Sequence, residues 1–124
     1  MEPPAAERET VVLVVEDDPM IRMAAMMLIE GLGYYTLEAT NADEAITLLE
    51  DHPEITIVFT DVQMEGSMDG IALTHWAAGR WPPLRFIIVS GGMTPELHEI
   101  PAGAIFLSKP YADATVGRLI AQFA

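Results

Sequence analysis

The sequence predicts an α/β fold built on a doubly wound, five-stranded parallel sheet. Two observations lead to this prediction. Short apolar runs rich in β-branched and aromatic residues recur along the chain, and segments with the apolar spacing of helices separate them. Most of these runs contain no charged residue, which is typical of strands buried on both faces of a parallel sheet. Such an alternation of strands and helices places helices on both sides of the sheet.

The first third of the chain holds two strands and the helix between them. The strands are residues 10–15 and 34–39. Pro19 suits the first turn of the helix, which covers residues 20–32, because a first-turn N–H has no partner within the helix. We assign the methionines of this helix to the core, where flexible side chains fill gaps: Met20, Met23, Met26 and Met27.

The middle third continues the alternation. Thr40 or Asn41 is expected to cap a helix that runs to about Glu50. Residues 55–60 are predicted to form the third strand, a run of β-branched and aromatic residues that no charge interrupts. A loop that contains glycine follows, and then a helix over residues 71–78.

The last third completes the sheet. Residues 85–89 are predicted to form the fourth strand, and residues 104–107 a short fifth strand. Between them, Thr94 and Pro95 begin a helix of only one or two turns. A last helix covers residues 113–123 and ends the domain.

Composition excludes several classes of protein. Hydrophobic residues make up 51% of the 124 residues, which favours a globular domain over disorder. No apolar run approaches the ~20 residues of a membrane helix. Residues 1–9 carry two prolines and four charges, so we expect a flexible tail rather than a secretory signal. The net charge of −13 opposes direct binding to nucleic acid, and cysteine is absent. We expect a cytoplasmic domain over residues 10–124, without membrane contact.

Polar residues cluster where the predicted strands end. Glu16 and Asp17 follow the first strand, Asp61 the third and Ser90 the fourth, while Lys109, the only lysine, follows the fifth. The carboxyl ends of parallel strands share one edge of the sheet, so these groups should converge on one cleft. Carboxylates without nearby His or Cys favour Mg²⁺. A metal, a lysine and a hydroxyl around one carboxylate suit phosphoryl transfer, with Asp61 as the nucleophile.

Four motifs in this order resemble the receiver domain of two-component response regulators. They are VVEDDP, the strand that ends at Asp61 with MDG after it, VSGG and KPY. The resemblance covers the chain from about Thr10 to Phe123. It implies a flavodoxin-like fold with strand order 2-1-3-4-5. It also implies phosphorelay signalling, in which the domain modifies only itself and is not an enzyme in the usual sense.

The resemblance assigns the metal and acceptor roles residue by residue. Asp61 matches the phosphoacceptor. Asp17 matches the direct Mg²⁺ ligand, with Glu16 acting through water, and the backbone carbonyl of Gln63 would complete the metal shell. Asp18 is a third acid and is expected to be peripheral.

The resemblance also assigns the switch residues. Ser90 matches the hydroxyl that moves toward the phosphoryl group, and Lys109 matches the lysine that binds it. Phe106 matches the aromatic side chain that turns inward on activation. Pro110 matches the proline that family members often hold in the cis isomer.

The implied partners are proteins. A histidine kinase or a histidine phosphotransfer protein would donate the phosphoryl group. A downstream protein target would recognise the surface of the fourth helix, fifth strand and fifth helix. The segment between Ser90 and Lys109 is short, which trims the fourth helix and leads us to expect a monomer or weak dimer. Because the chain begins at Met1 and ends after the last predicted helix, a stand-alone receiver is expected.

Several alternatives stay open at this point. A receiver excised from a hybrid histidine kinase or a DNA-binding response regulator would look the same in this sequence. The intact acidic cluster disfavours a receiver that binds partners without phosphorylation. A Mg²⁺-dependent phosphatase with an aspartyl nucleophile normally has a second Asp two residues later, where Gln63 stands. A flavodoxin-like electron carrier would need a hydroxyl-rich phosphate loop where this chain has EDDP.

Overall fold

The computed structural model describes residues 10–124, which form a five-stranded parallel sheet between two layers of helices. The strands are β1 (Val11–Val15), β2 (Tyr35–Ala39), β3 (Ile55–Asp61), β4 (Arg85–Ser90) and β5 (Ile105–Ser108). The helices are α1 (Pro19–Gly31), α2 (Ala42–Asp51), α3 (Gly70–Arg80) and α4 (Asp113–Phe123). The strand order is β2-β1-β3-β4-β5, and all neighbours are parallel. The predicted fold class and strand order are confirmed. The expected tail, residues 1–9, lies outside the described residues.

The side chains of the central strands divide the core into two halves. In β1, Leu13 packs on one side of the sheet, and Val12 and Val14 pack on the other. Helices α2 and α3 cover the first side, and α1 and α4 cover the second. Because neighbouring side chains in a strand point to opposite faces, an unbroken apolar run is what two covered faces require.

Side-chain caps start the first three helices. Asp18 caps α1 by accepting from two N–H groups of the first helical turn, and Asn41 and Asp69 cap α2 and α3 by accepting from one N–H group each. Each of these helices begins just after a strand and its loop, at the carboxyl edge of the sheet. Asp18, which the sequence marked as a peripheral acid, is therefore a helix cap.

The prediction that the α1 methionines fill the core is wrong for three of the four. Met20, Met23 and Met27 are exposed, and only Met26 packs partly against the core. The buried face of α1 is formed by Ala25 and Ile29, four residues apart. Small and branched side chains at this spacing already fill the space against the sheet. The other methionines therefore point outward.

The predicted short fourth helix is present only as a single 3₁₀ turn at Leu97–Glu99, which begins later than Thr94 and Pro95. The turn lies between Pro95 and Pro101, and a residue that precedes proline is restricted to extended backbone. Ile100 is extended accordingly, with φ −114° and ψ 155°. Too few residues remain between the prolines for an α-helix.

The amino edge of the sheet carries an aromatic cluster at the end of α3. The Arg80 guanidinium lies 5.4 Å from the ring centre of Trp76 and 5.2 Å from that of Trp81. Arg80 also forms an exposed ion pair with Glu50 at 2.9 Å. This cluster is at the opposite end of α3 from the predicted site. No helix within residues 10–124 is long and apolar enough to cross a membrane.

Candidate functional site

The strand order brings the predicted site residues to one edge of the sheet. Glu16 directly follows β1, Asp61 ends β3, Ser90 ends β4 and Lys109 directly follows β5. Because β3 lies between β1 and β4, Asp61 has the other two strand ends on either side of it. Glu16, Asp61 and Ser90 are buried. The convergence that parallel strands predict is thus present.

Three carboxylates form a compact cluster at this edge. Glu16, Asp17 and Asp61 each place one oxygen within 4.8 Å of the others. Glu16 and Asp61 are buried, whereas Asp17 is exposed to solvent. Buried like charges repel one another, so a cation between them stabilises their ionised forms. Because the donor atoms are all oxygens, this set of residues fits Mg²⁺.

The Lys109 ammonium group reaches into the same cluster. Its Nζ lies 3.1 Å from Glu16 Oε1 and 3.4 Å from Asp61 Oδ2. Burial acts to lower the pKa of Lys109, but the hydrogen bond with Glu16 and the nearby carboxylates outweigh burial and raise it. Lys109 is therefore a cation at neutral pH. The backbone N–H of Lys109 donates to the Ser90 carbonyl at 2.9 Å, and the peptide bond between Lys109 and Pro110 is cis.

Burial raises the pKa of Glu16 above its usual value of 4.5, although the N–H of Asp18 opposes the shift. When folding raises the pKa of a group, the group adds fully to the free energy of unfolding at pH values below its unfolded-state pKa. This contribution is lost as the pH rises through the folded-state pKa. We therefore predict that Glu16→Gln, which cannot ionise, gains stability relative to the wild type as the pH rises through the raised pKa of Glu16. Urea unfolding with a metal chelator present, at a series of pH values, measures this difference.

Glu54→Gln is a control of opposite sign. The pKa of Glu54 is lowered by its own backbone N–H and by His52. Its contribution is present above its unfolded-state pKa, so Glu54→Gln should lose stability relative to the wild type as the pH rises. A difference for Glu16→Gln that does not change with pH would contradict the raised pKa.

The remaining predicted residues surround the cluster. Ser90 Oγ accepts hydrogen bonds from the N–H groups of Gly92 and Met93, both at 3.3 Å. Phe106 is half-buried in β5 and lies in register with Ile88 of β4. Gln63 is exposed on the loop after β3. Its side chain comes so close to Gly92 that a Cβ there would lie 3.3 Å from Gln63 Nε2.

Three residues near the site were missed at the level of the sequence. Tyr111 lines the small cavity around Asp61, and burial raises the pKa of its phenol. Gly70 packs directly on the backbone of Asp61. Arg22 contacts the backbone at Glu16. Tyr111 belongs to the motif KPY and Gly70 to the motif MDG, so these motifs could have indicated both residues. No local sequence pattern points to Arg22.

The family model of the response regulator receiver domain matches residues 12–120. The chain belongs to this family. Receivers are the signalling domains of two-component phosphorelay systems, and in general they interact with histidine kinases or phosphotransfer proteins. They bind Mg²⁺ through acidic residues, and this receiver has such a cluster.

Similar proteins include receivers within longer chains. Sensor kinase CckA of Brucella abortus (strain 2308) is 35% identical over 105 residues, which is 82% of this chain and 11% of that protein. Phyllosphere-induced regulator PhyR of Methylorubrum extorquens is 28% identical over 123 residues, 95% of this chain and 45% of that protein. This receiver thus spans less than half the length of these relatives.

Solved receiver structures agree with the fold. The receiver domain from hybrid histidine kinase CckA matches with a TM-score of 0.76 and 31% identity, over 91% of this chain and 97% of that one. A response regulator receiver protein from Pseudomonas putida matches with a TM-score of 0.82 and 26% identity, over 91% and 96%.

Proposed function

We propose that this receiver accepts a phosphoryl group on Asp61 from a histidine kinase or a histidine phosphotransfer protein. One observation supports this most strongly. The Asp61 carboxylate is buried at the end of β3, where it faces Lys109 Nζ at 3.4 Å and shares a cluster with Glu16 and Asp17. A carboxylate surrounded by a fixed cation and further metal-binding oxygens is arranged for attack on phosphorus.

The transfer forms one bond and breaks one. An Asp61 oxygen attacks the phosphorus, and the bond between phosphorus and the donor imidazole nitrogen breaks, with its electron pair remaining on that nitrogen. Glu16, Asp17, Asp61 and the carbonyl of Gln63 would hold Mg²⁺. When bound, that ion would offset negative charge on the phosphoryl oxygens. Lys109 Nζ supplies a second positive partner from the β5 side.

Ser90 would connect the site to the partner surface. Its Oγ accepts from the Gly92 and Met93 N–H groups, which leaves its own O–H available to donate to a phosphoryl oxygen. If Oγ moves toward the phosphoryl group, those N–H groups lose their acceptor, and the loop after β4 would rearrange with Ser90. We propose that Phe106 turns inward at the same time.

The surface that changes is the 3₁₀ turn, β5 and α4. A partner that binds the two arrangements with different affinity would shift the equilibrium between them, as phosphorylation does. We propose that a downstream protein target recognises this surface. The 3₁₀ turn offers less helix for self-association than a full helix would, which favours a monomer or weak dimer.

The acceptor can be tested by intact-protein mass after incubation with Mg²⁺ and acetyl phosphate. We expect a gain of about 80 Da, for one phosphoryl group, in the wild type and none in Asp61→Asn. Asp51→Asn is the matched control, because Asp51 is exposed at the end of α2, away from the site. That variant should gain the same mass as the wild type. A chelator should remove the gain from both.

Two results would count against the proposal. An equal gain in Asp61→Asn would mean that another residue is the acceptor. No gain in any variant, with acetyl phosphate or with a phosphorylated histidine phosphotransfer protein as donor, would indicate binding that does not depend on phosphorylation.

A further inference from the structure

Arg22 joins three elements at the edge of the site without entering the carboxylate cluster. From the first turns of α1, its Nη1 donates to the backbone carbonyl of Glu16 at 3.0 Å. Its Nε donates to Glu38 Oε1, on β2, at 2.9 Å. Only 14% of the Arg22 side chain is exposed, compared with 53% of the Glu38 side chain. The guanidinium is therefore held in a fixed orientation by two different acceptors.

The contact with Glu16 completes the hydrogen bonds of that residue. The Glu16 N–H donates to the Ala39 carbonyl at 3.1 Å. Its carboxylate accepts from the N–H of Asp18 and from Lys109 Nζ, both at 3.1 Å. The carbonyl is the remaining polar group, and Arg22 is its donor. Every polar group of Glu16 is thus paired, which fixes the residue at its backbone as well as its side chain.

The same contact orients Asp17. The Glu16 carbonyl and the Asp17 N–H belong to one planar peptide unit. A donor that holds the carbonyl therefore also fixes the orientation of this plane, which includes the nitrogen and Cα of Asp17. On its other side, Asp18 is fixed as the cap of α1, through hydrogen bonds at 2.9 and 3.2 Å. Asp17 is exposed and sits between two anchored residues. Its position therefore depends on these anchors.

We propose that Arg22 is a positioning residue that holds the Glu16–Asp17 peptide so that both carboxylates face the cation. The inference rests on the proposed Mg²⁺ site and adds the part of the chain that orients it. Groups that hydrogen-bond to metal ligands typically change metal affinity by about 10- to 100-fold when they are removed. Glu38 acts one step further out, because it holds Arg22.

Charge alone predicts the opposite result, which makes the test decisive. Arg22 is a cation near an anionic metal site, and removing a nearby positive charge should by itself strengthen Mg²⁺ binding. A positioning role predicts that binding weakens. The sign of the change in affinity therefore distinguishes the two.

The experiment measures Mg²⁺ binding by calorimetry for the wild type, Arg22→Gln, Glu38→Gln and Arg80→Gln. We expect about 10- to 100-fold weaker binding for Arg22→Gln. Glu38→Gln should have a smaller effect, because its amide oxygen can still accept from Nε. Arg80→Gln is the matched control, since it also loses an arginine–glutamate pair, but at the opposite edge of the sheet. Urea unfolding shows that each variant is folded.

A second readout needs no metal. In the metal-free protein, the backbone amide resonances of Asp17 and Asp18 should shift in Arg22→Gln and stay unchanged in Arg80→Gln. Mg²⁺ affinity of Arg22→Gln equal to or above that of the wild type would overturn the inference. If the wild type itself does not bind Mg²⁺, the proposed metal site fails. The amide resonances then decide the positioning role, and unchanged resonances in Arg22→Gln overturn it.

Discussion

Gly70→Ala is expected to lower the free energy of unfolding by at least about 3 kcal/mol, at the upper end of what overpacking costs. A Cβ on Gly70 would lie 1.9 Å from the Asp61 carbonyl oxygen and 2.8 Å from the carbonyl carbon. The obstacle is backbone, so no side-chain rotation relieves it. The same carbonyl also accepts from the Thr60 hydroxyl at 2.9 Å within a buried strand end. Either α3 or the end of β3 must move.

The displacement should also affect the site, because Asp61 carries the proposed acceptor oxygen. Urea titration followed by tryptophan fluorescence measures the stability loss, and intact mass with acetyl phosphate measures phosphorylation. Gly79→Ala is the control within the same helix, since a Cβ built there has no atom within 4 Å apart from its chain neighbours and the nearby backbone of its own helix. It should stabilise the protein by up to about 1 kcal/mol, because alanine favours a helix more than glycine does. Equal stability of Gly70→Ala and the wild type would contradict the close contact.

Lys109→Met is expected to have the second largest effect, and it acts through charge. Methionine keeps the apolar stem but leaves the Glu16 and Asp61 carboxylates without the cation at 3.1 and 3.4 Å. Breaking a buried ion pair costs several kcal/mol, and 23% exposure of the Lys109 side chain reduces this. We expect a loss of about 1–3 kcal/mol at neutral pH without metal. We also expect phosphorylation to slow by about 10²- to 10³-fold.

The pH dependence separates this mechanism from a packing defect. As the pH falls through the raised pKa of Glu16, that carboxyl becomes neutral and no longer needs the cation. The stability difference between Lys109→Met and the wild type should therefore shrink toward acid, whereas a packing defect would persist. Arg80→Met is the control, because its exposed pair with Glu50 should contribute less than about 1 kcal/mol. A loss that stays constant with pH would argue against the electrostatic explanation.

The sequence was sufficient to predict the sheet and the meeting of Glu16, Asp61 and Lys109 at one edge of it. The run ITIVFT could be placed as β3 because no charge interrupts it, and its predicted end differs by one residue from Asp61. The grouping of Asp61 with Glu16 and Lys109 followed from topology alone, since parallel strands share their carboxyl edge. In this fold class, the residues that meet at the carboxyl edge of the sheet can thus be predicted from the apolar pattern of each strand together with the strand order.

Other features could not be predicted because they depend on distant packing. Which α1 residues face the sheet was decided by Ala25 and Ile29, not by the apolar character of Met20 or Met23. The contact from Arg22 to the carbonyl of Glu16 depends on how α1 crosses the end of β1. Neither the crossing geometry nor a backbone acceptor leaves a signature in residue type.

Lys109, held between two carboxylates, has a consequence for how this protein can be mapped chemically. It is the only lysine of the chain, and amine-directed reagents acylate neutral amines, whereas this amine is partly buried and protonated. Residues 10–124 therefore offer such reagents a single, shielded target. Amine-reactive cross-linkers would therefore give almost no cross-links in this part of the receiver, whichever partner it binds. Carboxyl-directed reagents suit it far better, because the chain has 19 aspartates and glutamates.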